Sequence, residues 1–319
     1  VERGHGLRIA LKTRLADSAA ELQPGDLLAE AGRKVLLQEF RKVLAREAGS
    51  RSGADIEHVH QMRVAIRKSR SALRLVRAGY RPGALRPYGR ALRRTMRVLG
   101  PVRDLDVLIE GLEGFDTPKK KVRAQGIAAL DWQRTVARGE LLRVLDSEPW
   151  ERFLRAYTDF LTTPGAGALA APHDKIVPQQ VAHILPPLTH RHLAQVRAYG
   201  PCLADADSET LHDLRIDCKR LRYVVTLFSA LLGPELKEYI AALKQLQDLL
   251  GRLNDMVVAQ ALLARLMPEL DEATNALLHS YLEAMADERP QALAQLPAVW
   301  EHFNSRAVQR ELALALLAL

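Results

Sequence analysis

The sequence predicts an all-α protein, and three observations carry that prediction. Leu, Ala and Arg, which are good helix formers, dominate the 319 residues. Only 16 side chains are aromatic. β-Branched residues seldom alternate with polar ones over the length of a strand, so a sheet has little to be built from. Hydrophobic residues make up 48% of the chain and charged residues 26%, which excludes a disordered chain and allows one large domain or two medium ones.

The elements follow from the breaks. Residues 1–26 read as an N-terminal extension. Residues 27–48 are apolar at helical spacing and stop at Gly49-Ser50-Arg51-Ser52-Gly53. Residues 58–78 follow and stop at Gly79, and 85–109 carry an interruption at Gly100-Pro101. A fourth helical stretch covers about 119–161, so 27–163 form a first four-helix repeat. The Gly, Pro and Ala of 164–177 read as a linker. Its Gly165-Ala166-Gly167-Ala168-Leu169-Ala170 formally matches a dinucleotide fingerprint, but no strand precedes it and Pro172 follows. Residues 178–199, 208–232, 234–267 and 271–317 then read as four more helices, a second repeat over 178–319.

Two cysteines, Cys202 and Cys218, exclude a disulfide scaffold and any zinc module built from several thiolates. No apolar run reaches the length of a membrane span, and residues 1–10 lack the core of a signal peptide. A cytoplasmic protein with no membrane partner is expected. The chain begins at Val1 rather than Met, which reads as a cut inside a longer protein.

An internal repeat supports the division. His60-Gln61-Met62-Arg63-Val64-Ala65-Ile66-Arg67-Lys68-Ser69-Arg70 lies over His212-Asp213-Leu214-Arg215-Ile216-Asp217-Cys218-Lys219-Arg220-Leu221-Arg222. Leu99-Gly100-Pro101-Val102-Arg103-Asp104 then lies over Leu250-Gly251-Arg252-Leu253-Asn254-Asp255 at nearly the same offset. Two ordered matches imply duplication, and hence two related helical bundles about a pseudo-two-fold axis with a groove between them.

At about 100° per residue, His60, Arg63, Arg67, Arg70 and Arg74 share one face of their helix, with Met62, Ala65, Leu73 and Val76 opposite. His212, Arg215, Lys219 and Arg222 repeat the pattern, with Leu214, Leu221, Val225 and Phe228 opposite; Lys68 and Arg220 sit apart. A solvated face normally mixes charge signs. This one does not: residues 58–103 hold 13 basic residues and no Asp or Glu, in a chain of net charge +8. Arg63, Arg67, Arg70, Arg74 and Arg77 are successive like-charge neighbours, each pair costing roughly 0.2–0.5 kcal/mol unless an anion is bound. The next helix adds Arg86, Arg90, Arg93 and Arg97 on one face, beside Arg94. Arg outnumbers Lys 35 to 11 over the whole chain, so the Arg preference of this stretch says little by itself.

The helix His-x-x-Arg-(Val/Ile)-x-x-(Arg/Lys)-(Lys/Arg)-x-Arg, present at His60 and at His212 and each time followed by Leu-Gly-x-x-(Arg/Asn)-Asp, resembles the CHAD family, the conserved-histidine α-helical domain. The resemblance covers about residues 27–312. It implies a pair of four-helix bundles with a basic central groove that binds inorganic polyphosphate without catalysis or cofactor, and location at polyphosphate granules. Carried over, it assigns His60, Arg63, Arg67, Lys68, Arg70, His212, Arg215, Lys219, Arg220 and Arg222 to that groove. Arg74 shares the face, Arg90, Arg93, Arg94 and Arg97 fit the following helix by charge, and Lys244 aligns with Arg93. The second copy departs where Asp248 replaces Arg97, Gln245 replaces Arg94 and Thr226 replaces Arg74, so an asymmetric site is expected. Many relatives carry an N-terminal CYTH domain, and Glu2-Arg3-Gly4 is similar to the residues that close one.

Two other classes stay open. A nucleic-acid binder would use the same basic run, but only Tyr80 and Tyr88 interleave it and no helix-turn-helix signal is present, so no specific nucleic acid is expected. A metal-dependent phosphohydrolase would need acidic ligands, for which Asp104, Asp106 and Asp255 are the candidates. Asp104 and Asp255 read instead as caps after a helix-breaking glycine. His212-Asp213 has Gln61 in place of its Asp in the first copy, and His58/His60 and His190/His192 stand two apart, on different helix faces, so no metal site is expected. Cys218 falls on the apolar side of its helix and reads as core.

Overall fold

Equivalent aspartates start the two basic helices. Asp55 accepts a hydrogen bond from the Glu57 N–H and Asp207 one from the Thr210 N–H, both at 2.8 Å, satisfying donors that a helix start leaves orphaned. The helices they cap run Ile56–Leu75 and Ser208–Leu227, so both ends keep the spacing of the sequence repeat. The protein is described by a computed structural model covering residues 2–170 and 177–319. The first half holds α1 (Glu2–Asp17), α2 (Leu28–Ser52), α3 (Ile56–Leu75), α4 (Arg86–Gly114), α5 (Lys120–Leu145) and α6 (Glu148–Thr162). The second holds α7 (Val181–Arg197), α8 (Ser208–Leu227), α9 (Leu236–Leu266), α10 (Glu272–Asp287), α11 (Arg289–Asn304) and α12 (Arg306–Leu316). The protein is all-α: among the described residues only isolated bridges, Leu27 with Gln180 and Tyr80 with Ala168, pair extended backbone.

Several boundaries differ from the sequence reading. The stretch 119–161 is two helices, because Ser147 caps a new one through the Trp150 N–H and Pro149 sits in its first turn. The stretch 271–317 is three, restarted at Arg289-Pro290 and at Ser305, which caps through Val308. Gly49 does not end α2, which continues to Ser52 and stops at Gly53, held at φ 68°, a conformation that favours glycine. Gly100-Pro101 does not interrupt α4. Arg77 leaves the line of α3 arginines for a 3-10 turn, Arg77–Gly79. Of the linker 164–177, residues 171–176 lie outside the described residues. The part before them is stitched to the α3–α4 turn, Arg81 N–H to Gly167 O and Leu169 N–H to Gly79 O, each 2.9 Å.

Residues 1–26 are not a bare extension. Leu11 and Leu15 of α1 are buried against the first half, and the Arg8 Nε donates to the buried Glu47 of α2 at 2.8 Å. The two halves share their cores. Leu214, Cys218, Leu221 and Val225 of α8 pack in the second-half core, whereas Tyr223, Val224 and Leu227 pack into the first with Phe40, Ile66 and Val76. A third cluster joins the far ends of α4 and α9 to α5 and α10 through Leu105, Leu112, Leu130, Leu263 and Leu278.

Candidate functional site

Helix α3 turns Met62, Ala65, Ile66, Ser69 and Leu73 into the core and leaves the basic face outward. His60, Arg63, Arg67, Lys68 and Arg70 are half-buried there, and Arg74 is exposed. On α8, Arg215, Lys219 and Arg222 are half-buried, while His212 and Arg220 are exposed. Because α3 packs against α8, the two faces meet in a basic seam. Arg67 acts on Arg215 and on Lys219, Arg222 on Lys68, and Arg220 on Arg74, in each case disfavouring the charge it acts on. Burial, then Arg215 and Arg67, push Lys219 down to about 8 against the opposing pull of Asp255.

The second repeated motif explains what holds this seam. Arg63 Nη1 donates to the carbonyls of Gly100 at 2.8 Å and Leu99 at 3.1 Å, and lies 3.5 Å from Asp104. In the second copy Arg215 stands 3.8 Å from Asp255. Asp104 and Asp255 are therefore not caps: each lies inside a continuous helix and faces the arginine of its own copy. Burial raises both carboxyl groups, and Arg63 and Arg215 respectively pull them back.

The histidines differ between copies. The His212 Nδ1 shares a 2.7 Å hydrogen bond with the Asn254 Oδ1. At the equivalent place His60 meets Arg103, and burial followed by that charge lowers the imidazole. Sequence reasoning missed Arg103 and Asn254, although both stand at the variable Arg/Asn place of the second motif. It also missed Asp217, whose Oδ1 takes Arg220 Nη1 at 2.6 Å, and Glu39, which opposes the lowering of Lys68 by burial.

The arginines of α4 are placed differently. Arg93 acts on Arg70 and Arg74 and so borders the seam. Together with Arg90, Arg94 and Arg97 it also lines a cavity of about 470 Å³ that faces the α5–α6 turn. Lys244 is exposed on α9. Asp106 is buried and turned to Arg134 of α5, 3.4 Å away, rather than to the seam. Among the described residues, no cluster of three or more His, Cys, Asp or Glu could hold a metal ion, and no helix is long and apolar enough to cross a membrane. Cys218 is buried in the core and Cys202 exposed.

With this geometry in hand, comparisons with known proteins converge. A model of the CHAD domain matches residues 34–264. The crystal structure of the CHAD domain from the plant Ricinus communis is similar at a TM-score of 0.75 and 25% identity, covering 90% of this chain and 95% of that one. PptA from Streptomyces chartreusis shares the fold at a TM-score of 0.55 and 15% identity, covering 86% and 99%. No curated protein matches.

Proposed function

The chain belongs to the CHAD domain family, and from that premise we propose that it binds inorganic polyphosphate, without turnover, along the basic seam where α3 meets α8. The observation that carries this reading is the crowding at Lys219: Arg67, Arg215 and Arg222 surround it, opposed by Asp255 alone. Such a cluster of cations is costly when empty and relieved by a polyanion. A chain of phosphates presents charge at short, regular intervals and nothing else to recognise, so a rigid line of guanidinium and ammonium groups suffices. The seam supplies Arg67, Arg70, Arg74, Lys219 and Arg222 as ligands. Arg63 and Arg215, turned to Asp104 and Asp255, hold the helices that present them. The protein so equipped works in the cytoplasm, and polyphosphate granules are where such a ligand would take it.

The test is a titration with long-chain polyphosphate and with duplex and single-stranded DNA of matched charge, at two salt concentrations, with released phosphate assayed in parallel. Tight polyphosphate binding that outcompetes both DNAs, with no phosphate released, is the expected result. Equal binding of all three would leave only a general basic surface, and metal-dependent release would make the protein a hydrolase. Arg67→Glu with Arg70→Glu should abolish binding. Arg63 is the wrong position for that test, because a glutamate there would face Asp104 and two carbonyls and damage the fold itself.

A further inference from the structure

We propose that this chain forms a two-fold dimer in which α5 packs antiparallel on α5 of a second copy. The inference goes beyond the polyphosphate reading, which concerns α3 and α8, and does not rest on it.

The outward side of α5 is apolar where a solvated helix would carry charge. Trp132 is 67% exposed and Val136 50%, and Ala128 and Ala124 are exposed one and two turns before Trp132. The four stand at steps of four residues, which makes them a single ridge on the helix surface. The arginines of α5 are held elsewhere: Arg123 donates to the Phe115 carbonyl at 2.7 Å, Arg138 to the Arg51 carbonyl at 2.9 Å, and Arg134 meets Asp131 at 2.5 Å. Leu130 and Leu141, on the other side of the helix, already fill the cores of this chain. The ridge is therefore spare, and a tryptophan left two-thirds in water keeps an apolar area that a partner would remove.

The order of side chains along the ridge identifies the partner. Small residues, Ala124 and Ala128, occupy its first half and large ones, Trp132 and Val136, its second. The same steps of four end on Lys120 at the start of the helix and Glu140 toward its end, about 30 Å apart. A two-fold axis midway between Ala128 and Trp132 sets each Trp132 against Ala128 of the other copy and each Val136 against Ala124, every contact being made twice. It also brings each Lys120 opposite a Glu140, so that the rim is complementary in charge. Lys120 stands against the positive end of its own helix dipole, and in an antiparallel pair it meets the negative half of the other helix instead. A lipid surface or an unrelated protein would gain nothing from this reversed order.

Sedimentation equilibrium of the whole chain tests the dimer, with twice the 35.5 kDa of one copy as the expected mass. Trp132→Glu should give a monomer. Ala128→Leu should weaken the dimer at least tenfold, because the added side chain occupies the place of the other copy's Trp132, although it makes the ridge more apolar. Lys120→Glu and Glu140→Lys should each weaken it by about three- to tenfold, and the two together should return it to within about threefold of wild type. All four positions are exposed, and circular dichroism matching wild type verifies the fold of each variant. A wild type that stays monomeric at about 100 μM, a dimer that survives Trp132→Glu, or a failed charge rescue would overturn the proposal. Tighter association of Ala128→Leu would overturn it in favour of unspecific apolar contact. Phosphatidylcholine vesicles that bind wild type and not Trp132→Glu would give the ridge to a lipid surface, which also overturns it.

Discussion

Lys219 is the side chain on which the seam's electrostatics converge. Arg67 reaches it from α3, Arg215 and Arg222 from its own helix, and Asp255 from α9, and with burial they bring it down to about 8. The sign of the consequence is fixed. Below pH 8 the free protein already carries this charge, and binding gains it without cost. Above pH 8 the free protein has lost the proton, while a bound phosphate chain favours the ammonium form, so binding must take a proton up. Affinity for polyphosphate should therefore be flat from pH 6.5 to 7.5 and fall by about three- to thirtyfold by pH 9.5, within the limit of tenfold per pH unit for one group. Lys219→Arg, which stays charged throughout, should flatten the profile while keeping affinity at pH 7. Anisotropy of labelled polyphosphate across this range checks both; an equal fall in the variant would remove Lys219 from the site. Burial and then the Arg103 charge lower the His60 imidazole, so the free protein favours its neutral form.

At the scale of the helix, close approach is decided by glycines. Gly32 of α2 faces Val76, and a Cβ there would stand 2.8 Å from the Val76 Cβ, an atom that cannot move without its backbone. Gly139 of α5 has nothing within 4 Å of its absent Cβ. Replacing either by Ala gains up to about 1 kcal/mol of helix propensity, but overpacking costs roughly 1–3 kcal/mol. Gly32→Ala should thus lower stability by about 1–2 kcal/mol and Gly139→Ala raise it by about 0.5–1 kcal/mol, read as opposite shifts of the urea midpoint at unchanged slope. The same scale shows why some boundaries were legible and others not. Apolar spacing located α2, α3, α8 and α9 because each carries buried apolar side chains along its whole length. It ran over Ser147 and Ser305, since a cap acts through one hydroxyl and leaves the spacing on either side intact. It broke α4 at Pro101, where the helix persists: the proline removes one backbone donor, and Arg63 fastens the adjoining turn through the Leu99 and Gly100 carbonyls. That bond joins two motifs thirty-odd residues apart, and neither motif alone reveals it.

Across the whole molecule, duplication made the basic seam readable. Matching the copies placed Arg67 over Lys219 and Arg70 over Arg222, and the packing of α3 on α8 brings those positions to one seam. What matching could not supply was direction. It could not tell that α4 turns Arg90, Arg94 and Arg97 toward α6, or that Leu15 of α1 completes a core, because both depend on which helix lies across from which. The copies are unequal as well as related: Thr226, Gln245 and Asp248 stand where the first half has Arg74, Arg94 and Arg97. Salt can measure this. By the counterion behaviour of nucleic acids, each phosphate neutralised contributes about 0.7–0.9 to the fall of log affinity with log salt. Arg67→Gln with Arg70→Gln, and Lys219→Gln with Arg222→Gln, each remove two equivalent cations, so each pair should flatten the slope by about 1.4–1.8 at pH 7. Because Lys219 already carries its charge at pH 7 and both variants keep Arg74 and Arg93, the slopes they leave should be of similar size. Fluorescence titrations between 50 and 300 mM salt decide it. An unchanged slope in either variant would mean that its half of the seam never touches the phosphate chain, and the two basic helices would then not act as one surface.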